Sequence, residues 1–248
     1  MTPTAYALTT VPVLLFLSPL TGRAQELITD RPDFTESAVV VPAGSIQIEG
    51  GLTWVDDGGS QGTLSGPEIL LRWGLSDRFE LRIGLPDYVE PRRGPSGVGD
   101  ASIGVKWQLG PTAGGWDVGW IGTLSLPTGD PGFTSDEVDP DVIFTVGREL
   151  SHGWSFGTQV SAGRQTAGDR HLSLVGGTLV LGRGLSERVG MFVELAVEDI
   201  EGAETSVLAH HGYSLLARPG LQFDVHFAVG LTDGAPDALL GAGLSWRR

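Results

Sequence analysis

The chain has 248 residues, a formal net charge of −14, 38 glycines, 40% hydrophobic and 19% charged residues, and no cysteine. That balance is too apolar for a disordered chain and too evenly mixed for a bundle of membrane helices, and the missing cysteines exclude a disulfide-stapled fold and Cys-based zinc or redox centres. The acidic charge, with Lys106 the single lysine, excludes a phosphate-binding surface, so no nucleic-acid partner is expected.

Residues 1–25 read as a cleaved signal peptide: an apolar stretch from Val11 to Leu20 precedes small residues at Gly22 and Ala24. The stretch is too short to span a bilayer as a helix, and no later run approaches the roughly 18 uninterrupted apolar residues that a spanning helix needs. Residues 26–44 are polar and Pro-broken, an irregular leader containing Asp30-Arg31-Pro32-Asp33. This leader either folds into a barrel lumen as a plug through Asp30, Arg31 and Asp33, or hangs as a periplasmic tail, the reading preferred at this point.

From residue 45 to 248 the hydrophobic period is two. Ile46, Ile48, Leu52 and Trp54 alternate with Gln47, Glu49, Gly51 and Thr53. Phe79 to Leu85, Ala101 to Leu109, Val189 to Val197 and Leu221 to Leu231 repeat the pattern, each with one apolar and one polar face. Compatible weaker segments are Pro67 to Trp73, Trp116 to Leu126, Asp141 to Arg148, Trp154 to Gly163, Leu172 to Leu181, Ser206 to Leu215 and Ala238 to Trp246. No window favours a period of 3.6. The predicted fold class is therefore all-β, with about 12 strands.

The connections alternate in character. Tight turn chemistry appears at Gly74 to Arg78, Gly110 to Gly115, Glu149 to Gly153, Gly182 to Arg188 and Ala217 to Gly220. More acidic or Pro/Gly-rich links lie at Asp56 to Gly62, Asp87 to Gly97, Thr128 to Glu137, Arg164 to Arg170, Asp199 to Ala203 and Thr232 to Asp237. Short turns on one side and longer loops on the other, joining an even number of strands, describe a transmembrane antiparallel up-and-down β-barrel with both termini in the periplasm. A soluble β-sandwich remains the competing reading of the alternation alone. Tryptophan placement argues against it: Trp73, Trp107, Trp116, Trp154 and Trp246 fall beside the short links or the C-terminus, and Trp54 near the opposite end, as two aromatic girdles would require. Trp120 reads as mid-strand.

At Asp30-Arg-Pro-Asp-Phe-Thr-Glu-Ser37, Val41-Pro-Ala-Gly-Ser-Ile-Gln-Ile-Glu-Gly-Gly51, Leu71 to Leu81, Gly97 to Trp107 and Leu124-Ser-Leu-Pro-Thr-Gly-Asp130, the chain resembles an outer-membrane transporter-like family named for the meta-cleavage pathway of phenol degradation. The likeness covers nearly all of the mature chain. It implies a barrel in the bacterial outer membrane and passage of small hydrophobic or aromatic compounds.

The inward face collects Glu49, Glu68, Arg72, Glu80, Arg82, Lys106, Glu194, Glu198, Asp224 and His226. These either line a water-filled path and set its selectivity, as charge rings do, or form a salt-bridged filling of a narrow barrel. The acidic run Asp130, Asp136, Glu137, Asp139 and Asp141 matches no EF-hand spacing and reads as a solvated loop. No metal, cofactor or catalytic residue is expected. The five histidines form no metal motif, Val105 stands where a phosphate-binding loop after Gly99-Asp-Ala-Ser-Ile-Gly104 would need lysine, and His210 with Ser206 or Ser214 is a weak hydrolase candidate. The function expected is passive uptake through the outer membrane, with lipid, the barrel assembly machinery and a small-molecule substrate as partners. A structural or adhesive barrel and a lipid-modifying enzyme are the alternatives.

Overall fold

A strand with alternate apolar residues has one face for hydrocarbon and one for water. That periodicity organises nearly all of the computed structural model, which describes residues 27–59 and 61–248. The expected signal peptide lies outside the described residues.

The strands are β1 (Ile46–Asp56), β2 (Thr63–Gly66), β3 (Leu70–Gly74), β4 (Phe79–Gly84), β5 (Tyr88–Pro91), β6 (Gly97–Val98), β7 (Ala101–Gln108), β8 (Asp117–Leu126), β9 (Asp139–Glu149), β10 (Trp154–Ala167), β11 (Arg170–Gly184), β12 (Val189–Ile200), β13 (Ser206–Arg218), β14 (Leu221–Gly230) and β15 (Ala238–Arg247). All pair antiparallel in one sheet, and β15 returns to pair with β1 from Gln47↔Arg247 to Asp56↔Ala238. The sheet is thereby closed, which removes the unpaired edges that hydrocarbon cannot satisfy.

The fifteen segments make twelve wall strands, because three are broken in two. β2 and β3 pair with successive halves of β1, β4 and β5 form the next strand, and β6 and β7 the one after. Pro67 and Pro86 lack the N–H that an unbroken ladder would use. The backbone freed at the break is still bonded: Gly51 N donates to Pro67 O at 2.7 Å, Leu85 N to Ile69 O at 2.8 Å and Gly99 N to Asp87 O at 2.8 Å.

The faces are inverted relative to a soluble protein. Gln47, Glu49, Arg72, Glu80, Lys106 and Ser245 are 0% exposed, whereas Val160 is 60% and Leu240 58% exposed on the outer surface. Trp73, Trp107, Trp154 and Trp54 point outward and are exposed, while Trp116 and Trp246 are half-buried near the short-turn end. Trp120 lies within β8, the fourth of its 10 residues. Register sets it opposite Trp107, which faces Phe79 on its other side, and opposite Phe144, so one aromatic row crosses four neighbouring strands.

Two expectations need correction. The segment Arg164 to Arg170 is not an open loop. β10 and β11 run on to a two-residue turn at Gly168-Asp169, where Gly168 takes φ 59°. The polar residues Arg164 and Thr166 broke the apolar alternation without ending the ladder. Likewise the expected loop Asp87 to Gly97 contains β5, which extends the wall beyond the break.

Candidate functional site

The lumen is built by the inward positions of the strands, two residues apart. On β1, β3, β4 and β7 these are Glu49, Arg72, Glu80, Arg82 and Lys106. Charges this deeply buried need partners, and here they find them in one another and in the leader. Arg72 donates from Nε to Glu80 Oε1 at 2.8 Å and from Nη1 to Glu49 Oε1 at 2.8 Å. Asp30 sits at the centre: both of its carboxylate oxygens accept from Lys106 Nζ at 2.9 Å, and Oδ2 lies 2.5 Å from Arg82 Nη1 and 3.1 Å from Arg72 Nη1. Burial pushes the Asp30 carboxyl up, but Arg72, Lys106 and Arg82 outweigh it and hold the group well below the usual carboxylate range. Arg82 also grips Glu36 through both carboxylate oxygens at 2.8 and 2.9 Å.

The leader is therefore inside the barrel. The tail reading is overturned, because Asp30 and Arg31 donate backbone N–H to Glu49 Oε2, each at 3.0 Å, and the chain then crosses the lumen to the opposite wall. There Phe34 N donates to Glu194 Oε2 at 2.9 Å and Thr35 Oγ1 to Glu194 Oε1 at 2.5 Å. Gln159 bonds both ways, accepting from Glu36 N at 2.7 Å and donating to Phe34 O at 3.0 Å. Thr178 and Thr145 add hydroxyl contacts to Thr35 and Glu36 O. Phe34 stacks on His210 with ring centres 4.2 Å apart.

Arg31 ties the leader to the seam where the barrel closes. Its Nη1 lies 2.6 Å from Glu68 Oε2 at the β2–β3 break and its Nη2 3.2 Å from Asp224 Oδ1 on β14, so it bridges across β1 and β15. The guanidinium rests on Gly51 and Gly243, where a Cβ would come within 2.5 and 2.6 Å of it. Asp33 behaves differently from Asp30: burial and the nearby Glu194 push its carboxyl well above the usual range.

Four cavities border the leader. Those of about 260 and 410 Å³ lie toward the short-turn end, between leader residues 28–39 and the ends of β8 to β14. Those of about 220 and 430 Å³ lie toward the long loops. Asp33 borders cavities of both sets.

The expected inward residues divide accordingly. Glu49, Arg72, Glu80, Arg82, Lys106, Glu68, Asp224 and Glu194 hold the leader or the groups that hold it, and His226 bonds to His210. Glu198 stands apart, exposed in the 220 Å³ cavity near the long loops. Arg72 and Arg82 do not line an open path, since their guanidinium groups are consumed by carboxylates. Sequence reasoning missed Gln47, Gln108, Thr145, Gln159 and Thr178, which share the inward parity but carry weaker signals than charges do, and Glu36, a leader carboxylate outside any strand period that pairs with Arg82. His210 is also inward. Its two nitrogens face Glu194 and His226, so neither Ser206 nor Ser214 is its partner. Among the described residues no cluster of metal ligands is present. In the acidic run, Asp139 is bonded to Arg164 and Thr166, Asp130 to Val98 N, and Glu137 lies 3.7 Å from Arg164 Nη2.

The architecture is similar to that of solved outer-membrane barrels. The COG4313 outer membrane channel from Pseudomonas putida F1 matches with a TM-score of 0.60 at 13% identity, over 85% of this chain and 98% of that one. The NanC porin matches with a TM-score of 0.58 at 8% identity, over 81% and 98%, and the KdgM porin with 0.54 at 10%, over 82% and 98%. At such identities these likenesses establish the fold. A search of the curated proteins finds no match. A family model does match residues 29–248, nearly the whole described chain, and by that match the protein belongs to the family described as "Putative MetA-pathway of phenol degradation".

Proposed function

We propose that this protein is a bacterial outer-membrane channel for passive uptake of small hydrophobic or aromatic compounds, with the leader as an internal plug. The observation that carries the reading is that residues 30–36 cross a polar lumen from wall to wall and lie between two sets of cavities. A barrel with no transport would need its interior only filled. Here part of the filling is a separate segment, held by charged and polar side chains of the wall, and voids remain on both of its sides. The fold shared with channels and porins and the family's association with phenol degradation support the transport role and the class of solute. Bilayer lipid, through the exposed apolar face, and the barrel assembly machinery are the partners this reading requires.

Deleting residues 27–37 tests it. In planar bilayers the deleted protein is expected to conduct several-fold more than the full chain, and its liposomes to take up small neutral aromatics faster. Identical conductance would remove the plug, and no conductance or uptake from either form would favour a purely structural barrel.

A further inference from the structure

The two ends of the barrel differ in charge. The long-loop end is acidic, with Asp56, Asp57, Glu201, Glu204, Asp233 and Asp237 in its links, whereas Arg78, Arg188, Arg218 and Arg248 lie in or beside the short turns and at the C-terminus. Two further arginines of the short-turn end stand on the outer surface of the wall itself. On β9 Thr145 points inward to the leader, so Arg148, three residues on, faces outward, and register sets it opposite Phe156 of β10. Arg183 of β11 lies opposite Trp154, which shares the outward face of β10 with Phe156.

Each guanidinium rests on an indole. Arg148 Cζ is 5.4 Å from the ring centre of Trp116 and Arg183 Cζ 4.9 Å from that of Trp154. Trp116 meets Phe156 edge-on with centres 6.1 Å apart, so three rings and two cations form one patch from the start of β8 to β11. Arg183 is fixed further by Nη1, which donates to His152 O at 2.6 Å. Rings and carbonyl orient these cations without neutralising them. The neighbouring acid, Glu149, has the inward parity and borders the lumen cavities, and among the described residues neither arginine forms an ion pair. Water can occupy their remaining N–H groups, but it brings no counter-charge.

Toward the middle of the bilayer the patch runs into apolar wall, where Phe144, Val160 and Leu179 of β9, β10 and β11 are all exposed. Two cations held on aromatic rings beside such a surface complement a lipid whose head carries net negative charge, its phosphate accepting from the guanidinium forks. A zwitterionic head brings its own cation, which the arginines repel.

We infer that the patch of Arg148, Arg183, Trp116, Trp154 and Phe156 is a binding site for an anionic phospholipid of the periplasmic leaflet, its phosphate held by the guanidinium groups and its acyl chains lying on β9 to β11. The inference rests on the outer-membrane orientation of the channel reading, and it assigns a place and a charge to the bilayer lipid which that reading requires.

Dioleoylphosphatidylglycerol, which is anionic, and dioleoylphosphatidylcholine, with the same chains and no net charge, are the probes. Native mass spectrometry of the protein in mild detergent, with each lipid added in turn, is expected to show the anionic lipid bound about tenfold more tightly. Arg148→Gln combined with Arg183→Gln is expected to bring the ratio to about one, and Arg148→Lys with Arg183→Lys, which keeps the charge without the fork, to keep part of it. Arg78→Gln, in the turn between β3 and β4 and away from the patch, is expected to leave the ratio unchanged. Equal affinities in the wild type, or a preference kept in the paired glutamine variant, would overturn the site. A preference lost equally in Arg78→Gln would overturn it too, by tracing the effect to the charge of the whole end, as would displacement of the lipid by excess inorganic phosphate, since a free anion would then suffice. Heat-modifiable migration checks that each variant folds. Should the paired glutamine variant fail that check, Arg183→Gln alone is expected to lower the ratio about threefold. Conductance is read separately: an arginine-dependent preference without conductance upholds the site and sinks the channel, whereas conductance with equal lipid affinities does the reverse.

Discussion

The two walls that hold the leader do so by different physics. On β1, β3, β4 and β7 the grip is ionic, with Asp30 and Glu36 inserted among Arg72, Arg82 and Lys106, and the side chains of Arg72, Glu49, Glu80 and Lys106 wholly shielded from solvent. On β9 to β12 it consists of amide and hydroxyl bonds from Thr145, Gln159 and Thr178, with Glu194 the single charge. Three of the four cavities border this second wall. A buried ion that loses its partner keeps its full desolvation cost, whereas a hydroxyl beside a wet cavity can exchange its partner for water at little cost. The ionic wall therefore fixes the leader and the neutral wall is where it can be released.

The sharpest way to break this contrast is Arg72→Met. The substitution leaves Glu49, Glu80 and Asp30 buried around a missing cation, a loss on the order of 3–5 kcal/mol. Urea unfolding in detergent micelles, followed by loss of heat-modifiable migration, is expected to shift by that amount. Because Glu49 and Glu80 belong to the wall itself, the barrel and the leader should be weakened together. A shift below about 1 kcal/mol would mean that water already screens the network and that the ionic wall is no firmer than the other.

The strands were legible from sequence because period-two alternation is local, and a charge within it, such as Lys106 between Val105 and Trp107, declares which face meets water. Where that alternation is broken by polar residues, as at Arg164 to Thr166, the ladder outruns its hydrophobic signal. The leader's place was not legible. The bond between Lys106 and Asp30 joins residues 76 apart, and nothing periodic marks Asp30 as its partner. Even the glycines at 51 and 243 look like ordinary strand glycines until Arg31 is seen resting on them.

Those glycines give the second prediction, of intermediate size. Gly243→Ala would set a methyl group 2.5 Å from Gly50 O of β1 and 2.6 Å from Arg31 Nε and Nη2, so that it presses on the β1–β15 seam and displaces the guanidinium from Asp224 and Glu68. Overpacking of this kind costs about 1–3 kcal/mol. Single-channel records are expected to show more frequent opening. Gly190→Ala is the control, since its Cβ would meet Ser214 Oγ at 2.8 Å and no leader atom. Similar records from the two variants would show that seam glycines act on the wall alone and that Arg31 contributes nothing to holding the leader.

The smallest effect is expected from Thr178→Val, which conserves shape and removes a single hydroxyl contact, the 2.5 Å pair with Thr35 Oγ1. Thr35 keeps its bond to Glu194, so the loss should be about 0.5–1.5 kcal/mol. It falls on a wall of which Thr178 is part but whose own ladder does not use that hydroxyl, so global unfolding should barely move. Amide exchange in the leader should respond: Phe34 and Glu36, whose N–H groups are bonded to Glu194 and Gln159, should exchange several-fold faster, while Val41, bonded to Glu80 on the ionic wall, should keep its protection. If Val41 loses protection in parallel with Phe34, the leader moves as one rigid piece and has no separately releasable edge.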